Sequence, residues 1–387
     1  MELRGRSVET GRPVAVQMRG DKIVDVLAVD RCPDGMWVAP GLIDLQVNGF
    51  AGHDFNSIDP SADAAASAVR ALAARGTTSV LPTLITASRA DLLARLNAIV
   101  EAVQRFDDVR SSVLGVHIEG PFISAEEGAR GVHDPAAVRP PDLAELERWL
   151  QLLGHLRLVI TVAPEVEGIA ALIRAAVRQN VIVSIGHSAA EPSQVRVAVA
   201  AGASMSTHLG NGVAARLSRH PNLIWEQLAA DELSAGFIAD GFHLDGSTLR
   251  AMVHAKGWDR SMLVSDATAV AGLPPGRYRT SVGTDVELER SGRLHPVGQD
   301  HLAGAAVDLA GGAARLPGLI GASLRESFWL AARNPGRLLA DVARLRRGLL
   351  EPGCRADIIR FTWSPGQCDL QISDVIIGGR RVDRQRP

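Results

Sequence analysis

Lysine is nearly missing from this chain: it has 41 basic residues, and only Lys22 and Lys256 are lysines. Some binuclear metallohydrolases bridge two metals with a carboxylated lysine at a strand end. Neither lysine here ends a β-type run, so a carboxylate must take that role or there is no bridge. Cysteine is scarce too. The three present (Cys32, Cys354, Cys368) make no metal-type pair, and an odd number argues against a disulfide framework, so a reduced, cytoplasmic setting fits best. No apolar stretch approaches the roughly 20 residues of a membrane-spanning helix. Met1-Glu-Leu-Arg-Gly-Arg lacks the apolar stretch of a secretory signal. Neither sign of charge dominates; a net −2 provides no basic field, so nucleic acid and membrane surfaces are not expected as partners. Gly311-Gly312 lacks G-x-G-x-x-G spacing and there is no P-loop, which leaves nucleotide binding without a motif.

What is present is a regular alternation. With 387 residues, 46% of them apolar, the chain is large enough for one sizeable core and a smaller one. Eight β-type runs follow one another: Gly41–Gln46, Thr78–Thr83, Val113–Glu119, Arg157–Ala163, Val181–His187, Ser204–His208, Ser234–Ala239 and Ser261–Asp266. Between them lie segments of helical periodicity, among them Ala62–Arg75, Ala90–Arg105, Leu143–Leu153, Ala170–Gln179 and Ser193–Ala201. This alternation predicts a parallel α/β sheet, and eight units predict a closed (β/α)8 TIM-type barrel over residues 40–345. Residues 1–39 and 346–387 are β-rich, and neither segment buries much alone. They are expected to pack together as a small discontinuous β-sandwich domain. Ser281–His301 reads as a hairpin-bearing insertion able to reach over the barrel mouth.

The β-type runs end in residues with chemistry. Glu119, His187, His208 and Asp266 each close one, and His243 follows another. A lone His or Glu at such a place is more often hydrogen-bonded or solvated than a ligand. A closed barrel, however, brings the C-terminal ends of its strands to one face. One carboxylate and two imidazoles would supply three ligands and leave a position for water, and Asp266 would then be free to act as a base. The remaining histidines (His53, His155, His220, His254, His295, His301) have no partner spacing that marks a site.

The motifs around these residues are specific. His117-Ile-Glu-Gly-Pro-Phe, Gly186-His-Ser, Thr207-His-Leu-Gly-Asn, Ala239-Asp-Gly-Phe-His and Leu263-Val-Ser-Asp-Ala-Thr resemble, in order, those of the N-acetylglucosamine-6-phosphate deacetylase family of the amidohydrolase superfamily. Pro40-Gly-Leu-Ile-Asp-Leu-Gln-Val-Asn-Gly, Leu302-Ala-Gly and Pro352-Gly-Cys-Arg-Ala-Asp-Ile extend the likeness to the C-terminal region. The resemblance implies Glu119, His187 and His208 as metal ligands and Asp266 as catalytic acid/base. His243 would be a donor to the scissile carbonyl or a sugar oxygen. The implied reaction is hydrolysis of the acetamide of N-acetylglucosamine 6-phosphate to acetate and the amino sugar.

Many amidohydrolases carry His-X-His on the first strand to feed a second metal; this chain has Gln46-Val-Asn48, and an amide is a poorer zinc ligand than imidazole. The resemblance is therefore to a branch with one divalent ion per subunit. Zinc is the first choice; iron, cobalt and manganese remain open. Gln46 and Asn48 either contribute hydrogen bonds to the site or only cap a strand. The family also implies a homodimer in which an arginine grips sugar phosphate across the interface. Asn211-Gly212 match its motif with glycine in place of alanine, Gly210 stands where an aromatic is usual, and Arg219 falls at the arginine's spacing, with Arg216 a weaker candidate. Val132 and His133 match a loop near the sugar. Leu302-Ala303-Gly304 either close over the acetyl group or form a turn before a helix Ala305–Ala314. Three alternatives stay open: another N-acetylated amino sugar, an N-acyl amino acid, and a non-catalytic sugar-phosphate binder on the same barrel.

Overall fold

The computed structural model describes residues 1–280, 283–299, 301–340 and 346–383. Its centre is a parallel sheet of eight strands: β1 Leu42–Val47, β2 Thr77–Ile85, β3 Gly115–Glu119, β4 Arg157–Val162, β5 Ile182–Ile185, β6 Met205–Ser206, β7 Ser234–Phe237 and β8 Ser261–Leu263. They pair in chain order. The seam between β8 and β1 is closed by single bonds. Asp266 N donates to Gln46 O at 2.9 Å, Asn48 N donates to Ala267 O at 2.8 Å, and Ser265 N donates to Asp44 Oδ1 at 3.1 Å. All eight strands fall on the eight β-type runs.

Strand alternation divides the strand side chains between two environments. Leu45, Leu81, Val159, Ile182 and Met205 meet in one apolar cluster inside the barrel. Val116, Ile118, Ile160, Val162, Val183 and Ile185 face outward and pack with helix residues such as Leu96, Ile99, Trp149, Leu172 and Ile173. The helices start where the sequence offers caps. Ser61, Ser88, Asp142 and Asp245 each accept a backbone N–H of the first turn of Ala62–Ala74, Arg89–Arg105, Leu143–Leu153 and Gly246–Lys256.

Both chain ends join one seven-stranded sheet. The strand Met36–Pro40 pairs antiparallel with Ile358–Thr362, which stitches the N-terminal hairpin strands to the C-terminal ones. One face of the sheet gathers Leu3, Val16, Ile23, Val38, Ile358 and Ile376. The other turns Ile359, Phe361 and Ile377 towards the barrel's helices, where Phe361 stacks on Phe328 at 5.5 Å between ring centroids. The small domain is thereby fixed to the flank of the barrel.

Two expectations are corrected. The helix placed at Ala305–Ala314 spans Leu309–Ile320 instead. Ala305 is held in a parallel bridge to Ala267, and Asp308 caps the helix by accepting from Gly311 N at 2.8 Å, so the alanine run begins outside it. The inserted segment carries three strands, Gly276–Arg279, Asp285–Leu288 and Leu294–Pro296, and so starts before the expected bound. Ser281, Val282 and Asp300 of that segment lie outside the described residues, as does the expected domain boundary at Leu345. The tight turn at Gly292 lies against Phe242 and Val307, beside the loop that carries His243. Among the described residues, no helix is long and apolar enough to cross a membrane.

Candidate metal centre

Glu119 is the last residue of β3, His187 and His208 lie just beyond β5 and β6, and Asp266 just beyond β8. Three of these four have left-handed backbones: φ is +48° at His187, +24° at His208 and +48° at Asp266. Among the described residues only Ala51 and Asn180 share that feature without being glycine. The conformation costs on the order of 1 kcal/mol or more per residue and persists only where the surroundings over-determine it. Here it turns each side chain off its strand towards the others.

The result is a tight triangle. Glu119 Oε1 lies 3.0 Å from His208 Nε2 and 3.2 Å from His187 Nε2, and the two imidazole nitrogens are 3.2 Å apart. Ligands about 2.0–2.1 Å from a tetrahedral zinc are separated by roughly 3.3 Å. The three atoms therefore have the spacing of one face of a metal tetrahedron. Proton positions support the same fit. His187 Nδ1 is 2.9 Å from Ala129 O, and a carbonyl only accepts, so Nδ1 carries a proton and Nε2 is the ring atom turned to the Glu119 carboxylate. A cation between that nitrogen and the carboxylate would be held by both. Burial alone would raise the Glu119 carboxyl, but the hydrogen bonds and charges of His187 and His208 outweigh it and hold the group well below the usual range. Burial likewise opposes charge on His208, yet Glu119 and Asp266 push it up to about 9. Positive charge is stabilised at this point, and a divalent ion meets that demand.

Around the triangle the structure places the other candidates unequally. Gln46 Nε2 donates to Glu119 Oε1 at 2.8 Å and to Asp266 Oδ1 at 3.2 Å, and Asn48 Nδ2 donates to Asp266 Oδ1 at 2.7 Å. The two amides thus link the ligand set to the acid/base candidate, while Gln46 Oε1 and Asn48 Oδ1 are buried without partners. Burial, followed by the charge of Glu119, pushes the Asp266 carboxyl up to about 6. His133 is buried, with Nε2 3.2 Å from His187 Nε2 and Nδ1 2.9 Å from Thr86 Oγ1. It joins Glu119 and His187 in a group whose ligand atoms lie within 4.8 Å of one another.

His243 Nδ1 is 2.6 Å from Asp240 Oδ2. Asn211 Nδ2 donates to His208 O at 3.2 Å, and Gly212, at φ +58°, packs so closely that an added Cβ would lie 2.9 Å from His187 Nδ1. Ala303 N donates to Leu294 O, tying Leu302-Ala303-Gly304 to the inserted sheet, and an added Cβ at Gly304 would lie 2.6 Å from Thr268, two residues past Asp266. Val132, by contrast, is 66% exposed. Arg216 and Arg219 are exposed on the loop after Gly212 and have no hydrogen bond or ion pair among the described residues.

Several participants carry no signal along the chain. Asp240 is one: its Oδ1 accepts from Phe242 N and His243 N while Oδ2 holds the ring of His243. Asp44, whose carboxyl burial pushes up to about 7, closes the β1–β8 seam. The Ala129 carbonyl and Thr86 act only through space.

Fold and site together define a metal-dependent hydrolase of the barrel type. Residues 37–310 match the model of the amidohydrolase family. The chain is 32% identical over 326 residues to N-acetylgalactosamine-6-phosphate deacetylase of Escherichia coli O157:H7, covering 84% of each protein. It is 33% identical over 359 residues to N-acetylglucosamine-6-phosphate deacetylase of Bos taurus, covering 88% of this chain and 85% of that one. Among solved structures, N-acetyl-D-glucosamine-6-phosphate deacetylase from Mycobacterium smegmatis superposes with a TM-score of 0.87 at 27% identity, over 99% of this chain and 100% of that one. An aspartate-to-alanine mutant of that protein, in complex with N-acetyl-D-glucosamine-6-phosphate, gives 0.84 at 27% identity over 96% and 95%. The chain belongs to the amidohydrolase family, among relatives named as deacetylases of N-acetylated amino-sugar 6-phosphates.

Proposed function

We propose that the protein hydrolyses the acetamide of N-acetylglucosamine 6-phosphate, releasing acetate and glucosamine 6-phosphate. The observation that carries this reading is the Glu119–His187–His208 triangle, joined to Asp266 through Gln46. Glu119, His187 and His208 would hold one divalent ion, zinc by ligand type, which when bound supplies a Lewis acid for the amide carbonyl and for water. Asp266 does the proton work. Asn48 and Gln46 fix its Oδ1, which leaves Oδ2 to take a proton from the attacking water. As the new C–O bond forms and the C–N bond breaks, Oδ2 returns that proton to the amine nitrogen, which leaves poorly as an anion. Asp240 Oδ2 holds the ring of His243 through Nδ1, which aims Nε2 at the carbonyl or a sugar oxygen of the substrate.

His133 and Val132 would face the sugar, Asn211 and Gly212 would line the phosphate end, and Leu302-Ala303-Gly304 would close over the acetyl group. Arg219 would reach the phosphate in the neighbouring subunit of a homodimer; its exposure in the single chain supports this reading. The setting is cytoplasmic. The division into 1–39 plus 346–387 and 40–345 is supported by the separate apolar cluster between the terminal strands.

A second reading is the galacto epimer, favoured by the relatives named for N-acetylgalactosamine 6-phosphate. Acetate release from both 6-phosphates and from both unphosphorylated sugars, with metal content assayed, tests the proposal. The expected outcome is about one metal per chain and turnover of N-acetylglucosamine 6-phosphate above the other three. Faster turnover of the galacto epimer would transfer the assignment to it, and no acetate from any of the four would sink the reading.

A further inference from the structure

Between the apolar floor of the barrel and the metal triangle lies a layer of polar side chains that catalysis does not use. Period-2 alternation generates it. Two residues beyond Val159, Ile182 and Met205 of the inner cluster come Thr161, Ser184 and Thr207, and two residues beyond His117 on β3 comes Glu119. All four polar side chains are buried, and they form one unbroken chain. His117 Nδ1 is 3.0 Å from Leu45 O and Nε2 is 2.7 Å from Thr161 Oγ1. Thr161 Oγ1 is 2.7 Å from Thr207 Oγ1, which is 2.6 Å from Ser184 Oγ.

The order of protons in this chain follows from its first member. The Leu45 carbonyl only accepts, so His117 carries its proton on Nδ1 and the neutral ring must accept at Nε2. Thr161 therefore donates to His117, Thr207 to Thr161 and Ser184 to Thr207. Each hydroxyl has one hydrogen and each is committed, so the chain has a single arrangement. It is a brace and not a proton path.

Its members sit next to the site. Leu45 precedes Gln46, His117 is two residues before Glu119, Thr207 precedes His208, and Ser184 is three residues before His187. Thr161 supplies no site residue of its own, yet it is the link between the β3 and β6 members. The strained backbones at His187 and His208 need such over-determination, because both follow short strands, of four and two residues. We infer that the His117–Thr161–Thr207–Ser184 chain is a positioning layer that sets the spacing of the metal-binding triangle from below. Thr161 is its central positioning residue although it touches neither ligand nor substrate. The inference rests on the metal-site part of the proposed function and not on the identity of the sugar.

The test is zinc affinity, measured by competition against a chelator, on the full chain and on Thr161→Val, Thr161→Ser and Ser184→Ala. Thr161→Val keeps shape while removing the central link. It should weaken zinc binding roughly 10- to 100-fold, the range typical of lost outer-shell partners. The metal-free melting temperature should stay within a few degrees, and in the loaded enzyme kcat should fall while KM moves little. Thr161→Ser restores the hydroxyl and should recover most of the affinity; Ser184→Ala removes only the last donor and should cost a few-fold. Unchanged zinc affinity in Thr161→Val would overturn the inference, as would failure of the serine variant to rescue. A loss of affinity matched by a large drop in metal-free melting temperature would also overturn it, since that describes a general packing residue. If Thr161→Ser and Ser184→Ala fold but leave zinc binding unrelated to the hydroxyl count, the brace is likewise refuted. Should the wild type bind zinc but deacetylate none of the sugars, the substrate assignment fails while the affinity series still decides this one.

Discussion

The barrel mouth of this protein contains two regions built on opposite terms. The triangle of Glu119, His187 and His208 is buried, strained at two backbones and cross-braced by Gln46, Ala129 and Gly212. The loop after it, which carries Arg216 and Arg219, is exposed and has neither arginine engaged among the described residues. Chemistry needs fixed distances of a few tenths of an ångström, so it is placed where strands and packing determine every rotamer. Anion recognition by a guanidinium tolerates a mobile approach and draws on surface loops. The difference predicts that substitutions in the first region act on turnover and those in the second on substrate choice.

Asp266→Asn should separate the regions most strongly. The amide preserves shape but cannot take a proton, so kcat should fall about 10³- to 10⁴-fold with metal content intact and KM nearly unchanged. Retention of a tenth or more of wild-type kcat would show that another group moves the proton. The pH profile carries the same information. Asp266 must be ionised to act as base, so activity is lost as pH falls through its pKa. Burial and Glu119 push that value up to about 6, and a bound dication pulls it down, so the acid limb of kcat/KM for the loaded enzyme should lie at or below pH 6. A limb near pH 7 that Asp266→Asn leaves in place would assign it elsewhere.

Asp240→Asn probes the boundary of the rigid region. The backbone N–H groups of Phe242 and His243 donate to Asp240 Oδ1 at 2.8 and 2.9 Å. They would pin an asparagine with its oxygen towards them and its NH₂ towards the ring. His243 would then have to accept at Nδ1 and carry its proton on Nε2, the tautomer opposite to the one the carboxylate favours, with no anion left to stabilise positive charge developing on the ring. A drop in kcat on the order of 100-fold with little change in KM is expected, together with a shift of the ring proton read by ¹⁵N spectroscopy. An unchanged tautomer with lowered kcat would mean that Asp240 acts only through packing.

Arg219→Ala should act in the other region and differently. Loss of a charge-assisted bond to phosphate should lower kcat/KM roughly 10- to 100-fold for phosphorylated substrate and leave unphosphorylated sugar unaffected. Equal losses on both would place Arg219 in the structure of the loop and not in recognition.

The same contrast separates what the sequence makes legible from what it hides. The eight strands could be read because inner and outer residues alternate within short apolar runs, as in Val113–Glu119 and Arg157–Ala163. The polar residues at their ends stand out against those runs. The left-handed turns at His187 and His208 could not be read, since neither residue type demands one; packing imposes it. Nor could Asp44, Asp240 or the Thr161 chain, because their roles depend on partners contributed by other strands or loops. The misplaced helix start has the same origin: Ala305 has helical composition, but its bridge to Ala267 decides its conformation.

Lys256 lies outside both regions, and its removal should have the smallest effect on turnover. Its side chain is buried, and Nζ donates to Gln227 O at 2.8 Å and Ala230 O at 2.5 Å. These are carbonyls at the C-terminal end of the helix Leu223–Ala229, where a donor completes the last turn. Burial pushes its pKa down to about 8, against roughly 10.4 in an unfolded chain. Between these values the unfolded state binds the proton that the folded state has released, so folding gains stability as pH rises through that window, by about 3 kcal/mol at most. The neutral amine still has two hydrogens for its two carbonyls, so the cap survives the loss of charge. Lys256→Met should leave kcat and KM unchanged but remove this pH-linked gain. Denaturant unfolding of both proteins at pH 7.5 and 10 checks it: the wild type should gain stability relative to the variant. A constant difference would mean that Lys256 keeps an ordinary pKa and caps the helix as a cation.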